Sequence, residues 1–224
     1  RVGVPMAQQH ALIRRALRDE HVRLRERSAD ELVPHLAMRI QATLDAPLLP
    51  SRAASPTLGA LPAHAQRAEM EFDFMLDAVS LRELRRVCDF VPGVSMHELR
   101  GLMNGKIDLV FEHAGRFHVL DYKTNRLGDG TRLSAYAPAN LDVAMDHSHY
   151  RFQALLYTIA VDRYLRQRVP GYRRSEHLGE AIYLFVRAVG IAPERAPDAG
   201  IWTHRFDETL LDSVDRVFAG RVAA

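Results

Sequence analysis

The sequence is poor in cysteine and lacks long apolar runs. Cys88 is the single cysteine among 224 residues, which excludes a disulfide within the chain. One thiol fits a reducing compartment, so we expect a cytoplasmic protein. No apolar run reaches the roughly 18–20 residues that a membrane-spanning helix needs, and we expect no membrane partner. The sequence also contains no internal repeat.

A strong excess of charge is missing as well. Thirty Lys and Arg residues face 28 Asp and Glu residues, for a net charge of +2. The chain as a whole is therefore no electrostatic clamp for nucleic acid, and any attraction to phosphate must come from local clusters. The apolar fraction of 47% and the charged fraction of 26% are typical of a globular protein. Because the chain starts with Arg1 rather than methionine, we expect a piece of a longer polypeptide.

What the sequence does contain is a predicted β-hairpin over residues 106 to 123. Branched and aromatic residues alternate on both arms, and Ala114-Gly115 between them suits a tight turn with positive φ. With these two residues at the tip, counting outward along both arms puts Asp108 opposite Asp121. Strand side chains alternate faces, so Asp121 shares its face with Lys123 while Tyr122 points to the other.

Two facing carboxylates indicate a cation between them. Directly opposed residues have Cβ atoms roughly 4.5–5.5 Å apart, and two carboxylates at that distance repel each other unless a proton or cation intervenes. Mg²⁺ prefers oxygen ligands and often binds through one or two carboxylates. The sequence thus predicts a Mg²⁺ site at Asp108 and Asp121, with Mn²⁺ left open. A ladder of surface ion pairs with Lys106 and Lys123 is the alternative.

Three motifs together resemble the RecB subfamily of the PD-(D/E)XK nucleases. They are Gly-x-Ile-Asp-Leu-Val-Phe at residues 105 to 111, Asp-Tyr-Lys-Thr-Asn at residues 121 to 125, and Gln-Ala-Leu-Leu-Tyr at residues 153 to 157. Further stretches at residues 44 to 48, 69 to 72 and 181 to 187 are similar to the C-terminal nuclease domain of that subfamily. The resemblance covers roughly residues 28 to 220.

The resemblance implies an enzyme that hydrolyses DNA phosphodiester bonds with Mg²⁺, an exonuclease or endonuclease of the exodeoxyribonuclease V type. Such a domain is the nuclease module of a RecBCD-type helicase-nuclease in double-strand-break repair and recombination. Its implied partners are DNA, delivered as single strands by the helicase, the subunits RecC and RecD, and the recombinase RecA. The implied residues are Asp108, Asp121 and Lys123 for catalysis, Asp108, Asp121 and the Tyr122 carbonyl for the metal, and Gln153 and Tyr157 for substrate positioning.

Two other functions stay open. The same fold could serve as a docking module for RecC or the recombinase without cutting DNA, although an intact Asp/Asp/Lys set argues against this. It could also be a free-standing repair nuclease, although the near-neutral charge suits a domain that receives DNA from a larger machine.

One implied metal ligand has no clear match. Relatives carry an upstream histidine that completes the metal shell. His10 is a poor candidate for it, because His10 lies closer in sequence to the matching stretch at Leu44 than the resemblance implies. The acidic residue expected shortly after it is replaced by arginines. We expect the true histidine to precede Arg1.

The expected fold is α/β, with a PD-(D/E)XK, restriction-endonuclease-like core in which helices flank a mixed central sheet. We expect residues 1–66 to form an N-terminal helical extension and linker, and residues 67–224 to form the nuclease core. Within the extension we predict helices over residues 6 to 27 and from Ser28, where Ser28-Ala-Asp-Glu31 has the form of a capping box. Four prolines in residues 46 to 66 predict an extended connection over the surface.

In the core, the periodicity predicts further elements that surround the hairpin. They are strands over residues 69 to 76, 95 to 104, 181 to 189 and 201 to 204, and helices over residues 80 to 89, 147 to 168 and 208 to 218. The acidic face of the first strand, with Glu69, Glu71 and Asp73, is either solvated or a source of one more metal ligand. Residues 124 to 147 are predicted to form a long loop beside the site.

Overall fold

Five strands form one mixed sheet in the computed structural model, which describes residues 5–21, 28–93 and 98–220 apart from the Asp77 side chain. The strands are β1 (Gln66–Ser80), β2 (Glu98–His113), β3 (Arg116–Lys123), β4 (Leu178–Phe185) and β5 (Ile201–His204), and they lie in that order. β3 and β4 are parallel and the other neighbours are antiparallel. A parallel pair needs a long crossover, which the helical segment between β3 and β4 supplies. The predicted mixed sheet is confirmed.

Seven α-helices occur in the described part of the chain. They are α1 (Met6–Asp19), α2 (Ala29–Asp45), α3 (Leu81–Val87), α4 (Pro138–His147), α5 (Tyr150–Arg168), α6 (Arg174–His177) and α7 (Glu208–Phe218). Short 3₁₀ turns lie at Leu58–Ala60, Ala63–Ala65 and Leu133–Tyr136. The prediction for α7 is correct at both ends, and α5 starts three residues later than expected. No helix within these ranges is long and apolar enough to cross a bilayer.

Apolar side chains cover both faces of the sheet. On one face, α5 and α7 pack on a large core that includes Val119, Tyr183 and Phe185. On the other face, a second core contains Leu109, Leu120 and Ile182 together with leucines from the segment before β1. Because neighbouring residues of β3 and β4 alternate between these cores, β4 is buried along its whole length and β3 over most of it, as is usual for strands in a parallel pair.

Two helices precede the sheet in the sequence. α1 and α2 pack on each other through Ile13, Val33 and Ala37. The capping box at the start of α2 is confirmed, because the Glu31 N–H donates to Ser28 Oγ at 3.2 Å and the Ser28 N–H donates back to the Glu31 carboxylate at 3.3 Å. α1 ends at Asp19, and the rest of the predicted first helix extends into residues 22–27, which lie outside the described residues.

The connection over residues 46 to 66 lies only partly at the surface, so that prediction is wrong for its apolar residues, although residues 51–54 and 62–64 are exposed. Leu48 is fully buried, Leu49 is 2% exposed, and both pack against the sheet. The Leu48 N–H donates to the Pro56 carbonyl at 2.9 Å and closes the segment on itself. Proline restricts the backbone but does not determine which side chains face the core. The division of the chain at residue 66 stays a prediction.

Three further segments differ from the sequence-based expectation. Residues 124 to 147 contain the 3₁₀ turn at Leu133–Tyr136 and the helix α4 rather than a continuous loop. Pro138 begins α4, where a missing N–H costs nothing, so this proline starts a helix instead of breaking one. β4 begins at Leu178 and ends at Phe185, four residues before the predicted end. The strand predicted from residue 95 begins at Glu98, and residues 94–97 are outside the described ranges.

Candidate active site

The candidate site lies where the β2–β3 hairpin opens. Backbone pairing runs from His113 and Arg116 at the tip to Leu109 and Leu120, which is the predicted register. Ala114 and Gly115 form the turn with φ of 51° and 76°, both positive as a two-residue hairpin turn requires. Asp108 and Asp121 are the next residues outward on the two strands.

Beyond the last backbone pair, the side chain of Asp108 on β2 forms the next hydrogen bond to β3. Its Oδ2 accepts a hydrogen bond of 2.8 Å from the backbone N–H of Tyr122. The Tyr122 ring lies on the opposite face of the strand and is 39% exposed. Burial, together with the Asp108 charge, raises the pKa of the Tyr122 hydroxyl to about 12, so the phenol stays neutral.

Asp121 is a buried carboxylate, 4% exposed, that is incompletely neutralised. Lys123 Nζ lies 2.6 Å from its Oδ2, but the angle is poor and this oxygen accepts no well-directed hydrogen bond among the described residues. Burial raises the pKa of Asp121 and the Asp108 charge adds to this, while Lys123 opposes both. With two carboxylates and one ammonium, the cluster carries an excess of negative charge.

Gln153 and Tyr157 from α5 extend this cluster. Lys123 Nζ donates to Gln153 Oε1 at 2.9 Å, and Gln153 Nε2 donates to the Tyr157 hydroxyl at 3.0 Å. The Tyr183 hydroxyl on β4 donates to the same Oε1 at 3.1 Å. Tyr150, Gln153 and Tyr157, which recur at helical spacing on α5, thus converge on Lys123 or its partners. Tyr164 continues this spacing further along the helix and contacts Arg67.

Two aromatic residues that the sequence analysis did not assign to the site contact the ammonium. Lys123 Nζ lies 3.9 Å from the centre of the Tyr150 ring and 5.0 Å from that of Tyr183. Tyr150 precedes Gln153 by three residues, and this helical spacing was the available signal. Tyr183 stands in an apolar run that predicts a buried strand, and only its register with β3 reveals its position.

The other candidate metal ligands do not lie with Asp108 and Asp121. Glu69 is exposed and forms an ion pair of 3.2 Å with Lys106, so its strand face is solvated. His10 lies on α1, which packs against α2. Across the described ranges, no three His, Cys, Asp or Glu side chains are grouped in a way that could hold a metal ion.

The side chains at the hairpin nevertheless fit a hard divalent cation. Asp108 and Asp121 supply carboxylate oxygens, and Asp121 Oδ2 is a buried acceptor without a hydrogen bond. A buried oxygen of this kind is costly unless a donor or a cation satisfies it. The charge excess and the free acceptor capacity both favour an oxygen-seeking cation.

A cavity of about 700 Å³ lies on the opposite face of β3. Tyr122 is one of its lining residues, whereas neither aspartate nor Lys123 lines it. The remaining walls come mainly from α2 and from residues 130 to 136 and 186 to 191. The two carboxylates of the candidate site therefore lie outside this cavity.

Comparison with known proteins points to one family. The sequence profile of the PD-(D/E)XK nuclease superfamily matches residues 7–224. The RecBCD enzyme subunit RecB of Escherichia coli (strain K12) is 38% identical over 195 residues, which are 84% of this chain and 16% of that protein. RecB of Haemophilus influenzae is 37% identical over 125 residues, 56% of this chain and 10% of that protein. RecB of Mycobacterium tuberculosis (strain H37Rv) is 34% identical over 185 residues, 71% of this chain and 17% of that protein. The chain spans less than a fifth of the length of these relatives.

Proposed function

Because the chain belongs to the PD-(D/E)XK nuclease superfamily, we propose that it hydrolyses DNA phosphodiester bonds as the nuclease module of a RecBCD-type helicase-nuclease. In this role it processes double-strand breaks for repair and recombination. The observation that carries the proposal is the cluster at the open end of the hairpin. There Asp108 accepts from the Tyr122 N–H, Asp121 pairs with Lys123, and the buried Asp121 Oδ2 has no hydrogen bond. Similarity to RecB over 84% of the chain supports the same function.

Asp108, Asp121 and the backbone carbonyl of Tyr122 are the proposed metal ligands. Nucleases of this superfamily generally use divalent metal ions, and we propose Mg²⁺, with Mn²⁺ as the alternative. When bound, such an ion lowers the pKa of a water molecule and neutralises a phosphate oxygen. The two carboxylates supply the negative charge that holds it, and the Asp108 contact with the Tyr122 N–H fixes the intervening backbone.

Lys123 is the proposed catalytic cation. Its ammonium lies on the same face as Asp121, where it can orient the attacking water and stabilise negative charge that develops on the phosphate. Gln153 keeps this ammonium in place, because its Oε1 accepts a hydrogen bond from Nζ. The Tyr157 hydroxyl accepts a hydrogen bond from Gln153, and its O–H can donate a hydrogen bond to a phosphate oxygen of the substrate. These two contacts support the positioning roles of Gln153 and Tyr157.

The name of the relatives, RecBCD enzyme subunit RecB, supports RecC and RecD as partners. We propose that the chain works beside RecC and RecD, receives DNA as single strands from the helicase, and contacts the recombinase RecA. Its net charge of +2 is consistent with a domain to which DNA is delivered.

The test measures the release of nucleotides from labelled single-stranded DNA by the full polypeptide that carries this chain, with Mg²⁺ and with Mn²⁺. We expect digestion by the wild type and none by Asp121→Ala. Asp73→Ala is the matched control because Asp73 is an exposed aspartate on β1, and we expect it to cut normally.

Each other outcome overturns a defined part of the proposal. Undiminished digestion by Asp121→Ala would remove the site, and failure of the wild type with either metal would remove the nuclease function. If that inactive wild type still retained the recombinase in a pull-down, the docking module would replace the nuclease as the function of the fold.

A further inference from the structure

We propose that Tyr150 and Tyr183 are positioning residues that hold the Lys123 ammonium beside Asp121 through the faces of their rings. This inference rests on the proposed function, because it explains how the catalytic lysine keeps its place. Tyr150 comes from the first turn of α5 and Tyr183 from the middle of β4, so the two rings reach Lys123 from different elements.

The distances fit an attraction between a cation and two aromatic rings. Lys123 Nζ is 3.9 Å from the Tyr150 ring centre and 5.0 Å from that of Tyr183, both within the roughly 6 Å over which ring quadrupoles attract cations. Lys123 is 8% exposed, so water solvates its charge poorly. Since a buried ammonium must replace its lost hydration, the ring faces stabilise it more than they would at the surface.

The hydrogen bonds of Lys123 leave room for this contact. An ammonium has three N–H donors. Gln153 Oε1 accepts from one of them at 2.9 Å, and Asp121 Oδ2 forms an ion pair with Nζ at 2.6 Å without a well-directed hydrogen bond. The face of the Tyr150 ring, with its centre 3.9 Å from Nζ, is a further contact of the ammonium. Without it, the flexible four-carbon stem of lysine would let the ammonium swing away from Asp121.

Both rings are held in turn. The Tyr150 hydroxyl donates to Asn125 Oδ1 at 3.1 Å, and the Tyr183 hydroxyl donates to Gln153 Oε1 at 3.1 Å. Tyr183 is fully buried and pairs directly with Asp121 in the parallel register of β3 and β4. The rings therefore form fixed walls, and the position of the lysine follows from the packing of α5 and β4 on β3.

The first test compares substitutions of Tyr150, which is half-buried and therefore easier to change than the core residue Tyr183. Tyr150→Leu removes the ring, and we expect kcat to fall roughly tenfold while KM for DNA changes little. Tyr150→Phe keeps the ring but loses the Asn125 contact, and we expect it to retain most of the wild-type kcat. Tyr164→Leu is the control, since it removes an α5 tyrosine about 21 Å away along the helix.

The second test is independent of cleavage. In ¹³C-labelled protein, the ring currents of Tyr150 should shift the Lys123 Hε resonances upfield, and Lys123→Arg identifies those resonances by removing them. We expect the shift to persist in Tyr150→Phe and to move toward the free-lysine position in Tyr150→Leu.

Unchanged Lys123 resonances in Tyr150→Leu would overturn the inference, as would wild-type kcat in that variant. A loss of kcat in Tyr150→Phe as large as in Tyr150→Leu would overturn it too, because the hydroxyl and not the ring would then be responsible. An inactive wild type would contradict the proposed function, and the resonance shifts would still decide whether the rings hold Lys123.

Discussion

Oδ2 of Asp108 accepts a hydrogen bond of 2.8 Å from the backbone N–H of Tyr122. The contact joins β2 to the residue that lies between Asp121 and Lys123 on β3. It starts where the backbone pairing stops, at Leu109 and Leu120, and so extends the register of the hairpin by a side chain. Asp108 therefore has a structural role as well as the proposed ligand role, and the two can be separated by substitution.

Asp108→Asn should separate them. An asparagine keeps an oxygen that can accept from the Tyr122 N–H, so we expect the free energy of unfolding to change by less than about 1 kcal/mol. Because the negative charge is gone, we expect DNA cleavage with Mg²⁺ to fall by a factor of roughly 100 or more, as expected for loss of a metal-binding carboxylate. Urea denaturation and nuclease assays on the same preparation measure the two effects.

Asp108→Ala is the comparison, because it removes the acceptor too and leaves the N–H of Tyr122 without its partner. We expect it to lose activity as Asp108→Asn does and to be less stable by about 1 kcal/mol. Cleavage by Asp108→Asn at the wild-type rate would contradict the ligand role.

The hairpin could be predicted from the sequence because its information is local. Ala114-Gly115 fixes the turn, and alternation along both arms then determines which residues face each other. The burial of Leu48 and Leu49 could not be predicted in this way, since it depends on contacts with strands that lie far along the chain. Tyr183 was missed for the same reason, because its neighbour Asp121 is 62 residues earlier and pairs with it only in the folded sheet.

Gly105 could be recognised from the sequence, but the physical reason for it could not. The glycine belongs to the motif that the sequence analysis recognised, but its physical role depends on the pairing of β1 with β2, in which it faces Phe72. A Cβ atom on residue 105 would lie 2.5 Å from Cζ of Phe72. That ring in turn meets the Tyr157 ring edge-on, with centres 5.7 Å apart. The glycine thus makes room for an aromatic side chain that packs against the candidate site.

Gly105→Ala should therefore destabilise the protein. The Phe72 ring must move, and we expect an overpacking cost of roughly 1–3 kcal/mol in the free energy of unfolding. In a Phe72→Ala background the clash is gone, so the same substitution should cost at least 1 kcal/mol less, roughly the coupling found between contacting residues. Denaturant titrations of the four proteins measure this coupling.

Gly93→Ala is the control for that cycle, because a Cβ on residue 93 would meet nothing within 4 Å. We expect it to change the free energy of unfolding by less than about 0.5 kcal/mol. If Gly105→Ala cost the same with and without the Phe72 ring, the close approach would not be the reason for the glycine.

His118 is a buried histidine at the other end of β3, 1% exposed. Its Nδ1 accepts a hydrogen bond of 3.1 Å from the Glu180 N–H, which requires a lone pair on that nitrogen. The Glu180 carboxylate also lies 3.1 Å from Nδ1 and by itself would favour a charged ring. Burial outweighs this and lowers the pKa of His118 to about 3, with a further contribution from Arg52. The folded protein therefore keeps this imidazole neutral.

The neutral imidazole makes stability depend on pH. In the unfolded chain the histidine has its ordinary pKa of 6.5. Below pH 6.5 the unfolded state therefore binds a proton that the folded state does not bind, and this favours unfolding. The His118 contribution is complete above pH 6.5 and is lost as the pH falls toward 3. We expect the free energy of unfolding to decrease by up to about 1.4 kcal/mol per pH unit in this window because of this one residue.

His118→Gln, whose amide oxygen can accept from the Glu180 N–H, should show a shallower decrease between pH 6.5 and 4.5 in urea titrations. His64→Gln removes an exposed histidine and should follow the wild-type curve. Parallel curves for the wild type and His118→Gln would mean that the buried ring is already charged in the folded state.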